Sequence, residues 1–283
     1  MNAVWTIIVY ALRESVRRKM FLVVLLLTLA FLGLFWLATL HVFNHLSGIN
    51  PPFGVDRKTV VGGTLLGLAM FATLFLGTVL AVFLTLGAIR GDAERGLLQP
   101  LVVRPIGRVT FLLARFAGAG LVCAAYVALV YVVAMLIVGS EGHWWPDQIV
   151  APAVELALAV AVLVALSLLG SVFLSATANG VGVFMIFGAG LVGGLIGQIG
   201  HALNSATLRT IGRDSSWVMP FEALYQDALH RITANSAGVT GFVVRLGPFG
   251  GAQSGSAWLW PWVAVYLALV GTAALVGFNR RDL

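Results

Sequence analysis

Long apolar runs separated by short polar segments dominate the chain. Crossing ~30 Å of hydrocarbon at ~1.5 Å per residue takes about 20 apolar residues. The pattern predicts six membrane-spanning helices, at about residues 20–43, 60–89, 113–139, 152–177, 181–203 and 258–279. The fourth and fifth share the stretch between Glu155 and Arg209, which contains no Asp, Glu, Lys or Arg. The turn-forming residues Thr177 to Gly180 predict the break between them.

Composition excludes the two main alternatives to a membrane protein. Apolar residues make up 60% of the 283 residues, with 33 glycines in addition, and charged residues only 10%. A soluble domain carries about 25% charged residues, and a disordered chain is poor in apolar residues. The sequence therefore predicts an all-α integral membrane protein with one transmembrane domain over residues 1–283.

The segment before the first span predicts an interface helix. Residues 1–19 have an apolar side formed by Trp5, Ile8 and Leu12 and end in basic residues. This pattern is typical of a helix that lies in the plane of the membrane surface. The first apolar run is longer than the core of a signal peptide and no small-residue cleavage site follows it. We therefore expect this run to be retained as a membrane span.

The distribution of Lys and Arg predicts the orientation. If both termini are cytoplasmic, 11 of the 17 basic residues lie inside and 6 outside. Cytoplasmic loops of membrane proteins carry the basic excess, so this orientation is favoured. We expect a multi-pass protein of the cell (cytoplasmic) membrane. The net charge of +6 then reflects basic cytoplasmic loops rather than a nucleic-acid partner.

The longest predicted external loop covers residues 204–257. Within it, Pro220–Ile232 places Phe221, Leu224, Tyr225 and Ala228 at helical spacing. Proline favours the first turn of a helix. We predict a short amphipathic helix there, packed on the outer leaflet or over the bundle.

Several polar or small residues leave two interpretations open. Glu155 is an interfacial carboxylate or a substrate or partner contact, and His41 and His45, four residues apart, are interface histidines or metal ligands. The fifth span carries small-xxx-small pairs, which let helices approach closely. These glycines pack within the bundle or form a subunit interface or sliding face, and they are Gly190, Gly193, Gly194 and Gly197.

Two features restrict the possible energy source. The sequence has no G-x-x-x-x-G-K-[ST], so this chain cannot build the loop that cradles nucleotide phosphates. The central parts of the predicted spans lack Asp, Glu, Lys and Arg, whereas an ion-coupled carrier usually has ionisable groups there. We expect no cofactor, no metal and no catalytic residue in this chain.

The first large cytoplasmic loop, residues 90–108, mixes charges with an apolar patch at Leu97, Leu98 and Leu101–Val103. Pro100 and Pro105 prevent one long helix. An exposed apolar patch among charges needs a partner to cover it. The patch either dips into the lipid interface or docks a cytoplasmic protein.

This loop resembles that of the type-2 ABC transporter permeases, in which Glu-x-Gly is followed by an apolar stretch and Arg-Pro-Ile-x-Arg. The matching positions are Glu94, Gly96, Arg104, Pro105, Ile106 and Arg108. The C-terminal Asn279-Arg280-Arg281-Asp282-Leu283 and the N-terminal Leu12-Arg13-Glu14 with Arg17-Arg18-Lys19 are similar to that family as well. Among its subgroups, the chain is most similar to permeases grouped with multicopper-enzyme maturation.

The resemblance implies a transport subunit and not an enzyme. Two such permeases, identical copies or paralogues, would pair in the membrane, and a cytoplasmic ABC ATPase would bind ATP and dock on residues 90–108. Gly96 would allow close approach, Glu94 would pair with a basic residue of the ATPase, and Arg104 and Arg108 would anchor the bend at Pro105. Such a subunit would most readily serve an exporter. The alternatives are a secondary carrier and a membrane scaffold or intramembrane enzyme without an ATPase.

Overall fold

The computed structural model describes residues 19–45, 56–85, 107–236 and 253–280. In these ranges the chain is helical and contains no strand. The helices are α1 (Lys19–Asn44), α2 (Arg57–Thr85), α3 (Arg108–Gly142), α4 (Val150–Phe173), α5 (Ala176–Ala202), α6 (Ala206–Val218), α7 (Pro220–Ile232) and α8 (Leu259–Asn279).

Six of these helices, α1 to α5 and α8, are long and apolar enough to cross a membrane. The predicted all-helical fold with six spans is confirmed. The third span is longer than the predicted 113–139, because α3 begins at Arg108 and ends at Gly142. The predicted interface helix over 1–19 and the loop segment 90–106 lie outside the described residues.

Successive spans run in opposite directions. Gly62 at the start of α2 lies against Trp144, just after α3, and Gly277 at the end of α8 lies against Phe173 at the end of α4. We call the end of the bundle where residues 86–107 join α2 to α3 the loop end. The opposite end, where α5 is followed by α6, is the hairpin end.

The predicted break at Thr177 to Gly180 is wrong. The chain turns at Leu174 and Ser175, and α5 already begins at Ala176. Asn179 lies in the first turn of α5, where its buried side chain donates from Nδ2 to the Ser167 carbonyl of α4 at 2.9 Å. The asparagine in this segment therefore does not mark a turn. Its side-chain amide holds α4 and α5 together.

A polar junction at the loop end joins three helices. The hydroxyl of Thr85, the last residue of α2, lies 2.5 Å from the hydroxyl of Ser167 on α4. Ser167 also accepts from Asn179 of α5. All three side chains are buried. Hydrogen bonds between spans are satisfied inside the bundle because the surrounding hydrocarbon offers no partner.

The central helix of the bundle is α4, which packs against α2, α3, α5, α7 and α8. Lipid tails are as apolar as the side chains, so close packing rather than exclusion of water holds such helices together. At Gly77 of α2, an added Cβ would lie 2.7 Å from Val127 of α3 and 2.8 Å from Val160 of α4. Small residues therefore set the spacing of the central helices.

Within the predicted external loop 204–257, the described residues form two helices, where one was predicted. The predicted helix Pro220–Ile232 is confirmed as α7, with Pro220 in its first turn. The preceding helix α6 was not predicted, because Ala206–Val218 mixes polar residues and glycine with few apolar ones. Together α6 and α7 form a helical hairpin, which turns at Met219.

The α6–α7 hairpin enters the bundle along a glycine face of α5. Going back along α5, Gly200 contacts Leu208 and Arg209, Gly197 contacts Gly212, Gly193 contacts Ser215, and Gly190 contacts Phe221. The turn of the hairpin therefore lies beside Gly190, 12 residues before the end of α5 at Ala202. At ~1.5 Å per residue, the turn lies about 18 Å along α5 from the end of that helix, a length of more than half of a ~30 Å hydrocarbon layer.

We expect Gly212→Ala to destabilise the protein by about 1–3 kcal/mol, as overpacking does. A Cβ at Gly212 would overlap the Cα of Gly197, and neither backbone can move aside alone. The measurement is the apparent melting temperature of the purified protein. Gly188→Ala on the opposite side of α5 is the control, because its Cβ would meet nothing within 4 Å. Equal melting temperatures for the two variants would contradict the close approach of α5 and α6.

Candidate functional site

Helix α7 carries polar side chains into the interior of the bundle. Phe221, Leu224 and Tyr225 are fully buried, as the apolar pattern predicts. The acidic and amide residues of the same helix are buried as well, and they are Glu222, Gln226 and Asp227. Thus α7 does not rest on the surface with a wet polar face, as a helix packed on the outer leaflet would. It is surrounded by α2, α4, α5, α6 and α8.

Two carboxylates and one guanidinium hold α7 against α4. Arg231 Nε lies 2.6 Å from Oε1 of Glu155, and Arg231 Nη2 lies 2.9 Å from Oδ2 of Asp227. The Asp227–Arg231 pair spans one turn of α7, whereas Glu155 comes from α4. Nε and Nη2 of Arg231 both donate to Oδ2 of Asp227, at 3.1 and 2.9 Å, whereas Glu155 lies close to the guanidinium without a hydrogen bond among the described residues. Arginine suits this position, since its planar fork presents several donors and it stays charged.

The same ionic cluster joins two further parts of the chain. The backbone amide of Gly255, just before α8, donates to Oδ1 of Asp227 at 2.8 Å. Arg231 Nη1 donates to Gln148 in the connection between α3 and α4 at 3.3 Å. Burial alone raises the pKa of Asp227, but hydrogen bonds with Glu155, Gly255 and Arg231 outweigh burial and place that pKa below its usual value.

The position of Glu155 differs from both interpretations of the sequence. Its side chain is neither interfacial nor directed at a partner, because it is fully buried and ion-paired within the chain. Burying charges costs several kcal/mol per ion unless geometry and hydrogen bonding compensate. The contact of Glu155 with Arg231 offsets part of that cost, and it connects α4 to α7.

A second buried carboxylate lies deeper along α7. Glu222 accepts a hydrogen bond from Nε2 of Gln226 at 3.1 Å, and both side chains lie over Gly194 of α5. Its other oxygen, Oε2, is buried without a hydrogen-bond partner among the described residues. Burial raises the pKa of Glu222 to about 8, so the neutral acid predominates at pH 7.

A cavity of about 350 Å³ lies between α5, α6, α7 and the start of α8 at the hairpin end. Gly194, Gly197 and Gln226 line its inner part, and Arg209 and Arg213 line it from α6. Trp217 and Trp262 lie at its side, with ring centroids 5.2 Å apart. The indole Nε1 of Trp262 donates to the Trp217 carbonyl at 2.9 Å, which ties α8 to the end of α6.

The sequence-predicted site residues fall into two groups. Glu94, Gly96, Arg104 and Pro105 lie outside the described residues, and Arg108 begins α3. The four predicted helix-packing glycines of α5 all lie on the face that contacts the α6–α7 hairpin. His41 and His45 stack with centroids 4.3 Å apart. No group of three metal-ligating residues forms in the part of the chain that the structure describes.

Sequence reasoning missed the ionic cluster and the cavity. A signal was available for one pair, since Asp227 and Arg231 are four residues apart beside the apolar face of a predicted helix. No signal links Glu155 to Arg231, because their contact depends on how deeply α7 enters the bundle. The cavity depends on α6, whose low apolar content gave no helix prediction.

The fold and the buried cluster define a multi-pass helical membrane protein with a helical hairpin set into one end of its bundle. Residues 5–283 match the family model of the ABC-2 family transporter proteins. The chain belongs to this family, whose members are membrane transport subunits, with ATP hydrolysis in a separate subunit. This confirms the type-2 ABC permease resemblance seen in the loop at residues 94–108.

Two relatives share part of the chain. It is 31% identical over 147 residues to the probable ABC transporter permease protein NosY of Stutzerimonas stutzeri, over 50% of this chain and 49% of that protein. It is 31% identical over 175 residues to the protein of the same description from Pseudomonas aeruginosa, over 57% of this chain and 59% of that protein. The chain thus spans about half the length of the relatives that it matches.

We expect Arg231→Met to destabilise the protein by about 3–5 kcal/mol, because it leaves two buried carboxylates without their cation. Glu155→Gln should cost less, since Asp227 still neutralises Arg231 and accepts its hydrogen bonds. The double variant, Arg231→Met with Glu155→Gln, should lose less stability than the sum of the losses in the two single variants. The measurement is the free energy of unfolding in mixed micelles titrated with SDS. Arg213→Met, at a mostly exposed arginine, is the control, and strictly additive costs would contradict the cluster.

We expect Glu222→Gln to flatten the pH dependence of stability. The pKa of Glu222 is about 8 in the folded protein, raised by burial from an ordinary value of 4.5. Its contribution to stability is therefore fully present below about pH 4.5 and is lost as the pH rises to about 8. The wild type should melt several degrees lower at pH 8 than at pH 5.5, since 1 kcal/mol corresponds to roughly 2–4 °C. The variant should lose a large part of that difference. Asp214→Asn is the control at an exposed carboxylate, and a variant that keeps the whole difference would contradict the assignment.

Proposed function

We propose that the chain is the membrane-spanning subunit of an ATP-driven exporter, and that a separate ABC ATPase docks on residues 90–108. The observation that carries this proposal is the position of that segment. It joins α2, which ends at Thr85, to α3, which begins at Arg108. An ATPase bound there would act on two spans that both pack against the central helix α4.

The charge distribution supports a cytoplasmic location for the loop end. Of the 17 basic residues, 11 belong to this end when the spans alternate as they do here, and 6 belong to the hairpin end. Because cytoplasmic segments retain the basic excess, the loop end would face the cytosol and the hairpin end the outside. The membrane would be the cytoplasmic membrane.

The roles within the loop follow from its chemistry. Arg104 and Arg108 would anchor the segment on either side of Pro105, and Glu94 would pair with a basic residue of the ATPase. Gly96 would let the two backbones approach closely. ATP would be bound by the ATPase and not by this chain, whose sequence lacks a phosphate-cradling loop.

The hairpin end would serve as the exit in an export cycle. There α7 packs among α2, α4 and α5. Displacing α7 would open this end outward, and an exported substrate would leave by that route. A second copy of the chain or a paralogue would complete the transporter, with lipid around the remaining apolar faces.

We expect Arg108→Glu and Glu94→Arg each to lower stimulated ATP hydrolysis by about tenfold or more, as loss of an interfacial charge pair does. The chain and its cognate ATPase would be co-purified in nanodiscs and the hydrolysis rate measured. Lys58→Glu, an exposed charge reversal at the hairpin end, is the control. Full stimulation of ATP hydrolysis by both loop variants would remove the docking role of residues 90–108.

Labelling with a membrane-impermeant maleimide tests the orientation of the chain, on which docking of a cytosolic ATPase depends. In a Cys123→Ser background, Ser254→Cys at the exposed hairpin end should react in intact cells, and Gly96→Cys only after lysis. Cys123 is buried and should react little with the reagent. Its replacement ensures that all labelling comes from the introduced cysteine. The reverse labelling pattern would overturn both the orientation and the docking of a cytosolic ATPase.

A further inference from the structure

We propose that the cavity at the hairpin end binds the anionic phosphate headgroup of a phospholipid from the adjacent leaflet, held by Arg209 and Arg213 of α6. The proposal goes beyond transport and does not depend on its direction. It rests on the charge of the cavity, on its depth and on the residues at its side.

The charge of the cavity favours an anion. Arg209 and Arg213 lie one turn apart on α6, and no Asp or Glu lines the cavity among the described residues. The nearby carboxylates are compensated elsewhere, since Asp227 pairs with Arg231 and Glu222 accepts from Gln226. Asp214 lies 3.5 Å from Arg213, but both side chains are about two-thirds exposed, and such pairs contribute little.

Arg209 is held in place for a ligand. Its Nε donates to the Gly200 carbonyl at the end of α5 at 3.2 Å, and its Nη2 donates to the side chain of Asn204. These bonds fix the plane of the guanidinium and leave Nη1 available. Hydroxyl groups on the other wall can add donors, from Ser254 and Ser256. Guanidinium and hydroxyl donors together suit the oxygens of a phosphate.

The depth of the cavity favours a lipid over a soluble anion. Its lining runs from His201 near the end of α5 down to Gly194, seven residues or about 10 Å along the helix axis. This distance exceeds the thickness of one headgroup layer, which is about 5–8 Å. Because α6 descends with the cavity, Arg213 is carried toward the level of Gly197, where an anionic headgroup would lower the cost of placing a guanidinium beside lipid.

The side of the cavity has the residues expected at a lipid interface. Trp217 and Trp262 pair there, and tryptophan concentrates where acyl chains meet headgroups. Trp217 and the next residue, Val218, are exposed on α6. Leu259 and Ala223 add apolar lining. A zwitterionic headgroup would place its own cation beside two guanidiniums, so an anionic phospholipid is the preferred occupant.

Native mass spectrometry of the purified chain, titrated with phosphatidylglycerol or phosphatidylcholine, tests the proposal. We expect phosphatidylglycerol to bind several-fold more tightly, and Arg209→Gln with Arg213→Gln to weaken its binding about tenfold, as lost charged hydrogen bonds do. Arg213→Gln alone should weaken binding by a smaller factor. Lys58→Gln removes one exposed cation from the same end and should leave binding unchanged.

Two further variants keep the test decisive if Arg209→Gln fails to fold. Arg209→Lys retains the charge and should retain the preference for phosphatidylglycerol. Ser254→Trp should fill the cavity and abolish that preference without removing a charge. Equal affinity for the two lipids, or unchanged binding in the double variant, would overturn the proposal. Displacement of phosphatidylglycerol by inorganic phosphate at equal concentration would also overturn it, in favour of a soluble anion.

Discussion

The close approach of α5 and α6 at Gly197 and Gly212 is the contact on which the hairpin end depends. In hydrocarbon, a helix can stop and turn back only where other parts of the protein satisfy its exposed backbone groups. With no side chain between them, the two backbones touch, and α6 descends along α5 to the level of Gly190. This depth is what brings α7 into the bundle. A wider spacing would leave α7 at the surface and Glu155 without its partner.

The buried charges of α7 follow from that depth. Arg231 enters an environment in which an isolated guanidinium would be unfavourable, and it finds one carboxylate on its own helix and another on α4. Each element of the hairpin end therefore depends on another. The glycine face positions the hairpin, the hairpin positions Arg231, and Arg231 allows Glu155 to be buried in a membrane span. The cavity beside Trp217 is the space left where α6, α7 and α8 diverge.

The spans could be predicted from the sequence because hydrocarbon imposes a strict length and composition on them. Helix α7 was predictable too, since its apolar residues recur at helical spacing even though its polar residues are buried. Helix α6 was not, because it has few apolar residues, and the contact of Gly212 with the backbone of α5 that positions it leaves no signal in the sequence. The break between α4 and α5 was predicted in the wrong place, because asparagine is common in turns, whereas Asn179 is a hydrogen-bond donor inside the first turn of α5. The pairing of Glu155 with Arg231 required the tertiary structure.

The junction of Thr85, Ser167 and Asn179 has a mechanical consequence. It fastens the last residue of α2 to α4 and to the first turn of α5 through buried hydrogen bonds. The far half of that same α5 carries the glycines on which α6 rests. A displacement of α2 at Thr85 would therefore pass through these hydrogen bonds to α5, and along α5 to the opposite end of the bundle.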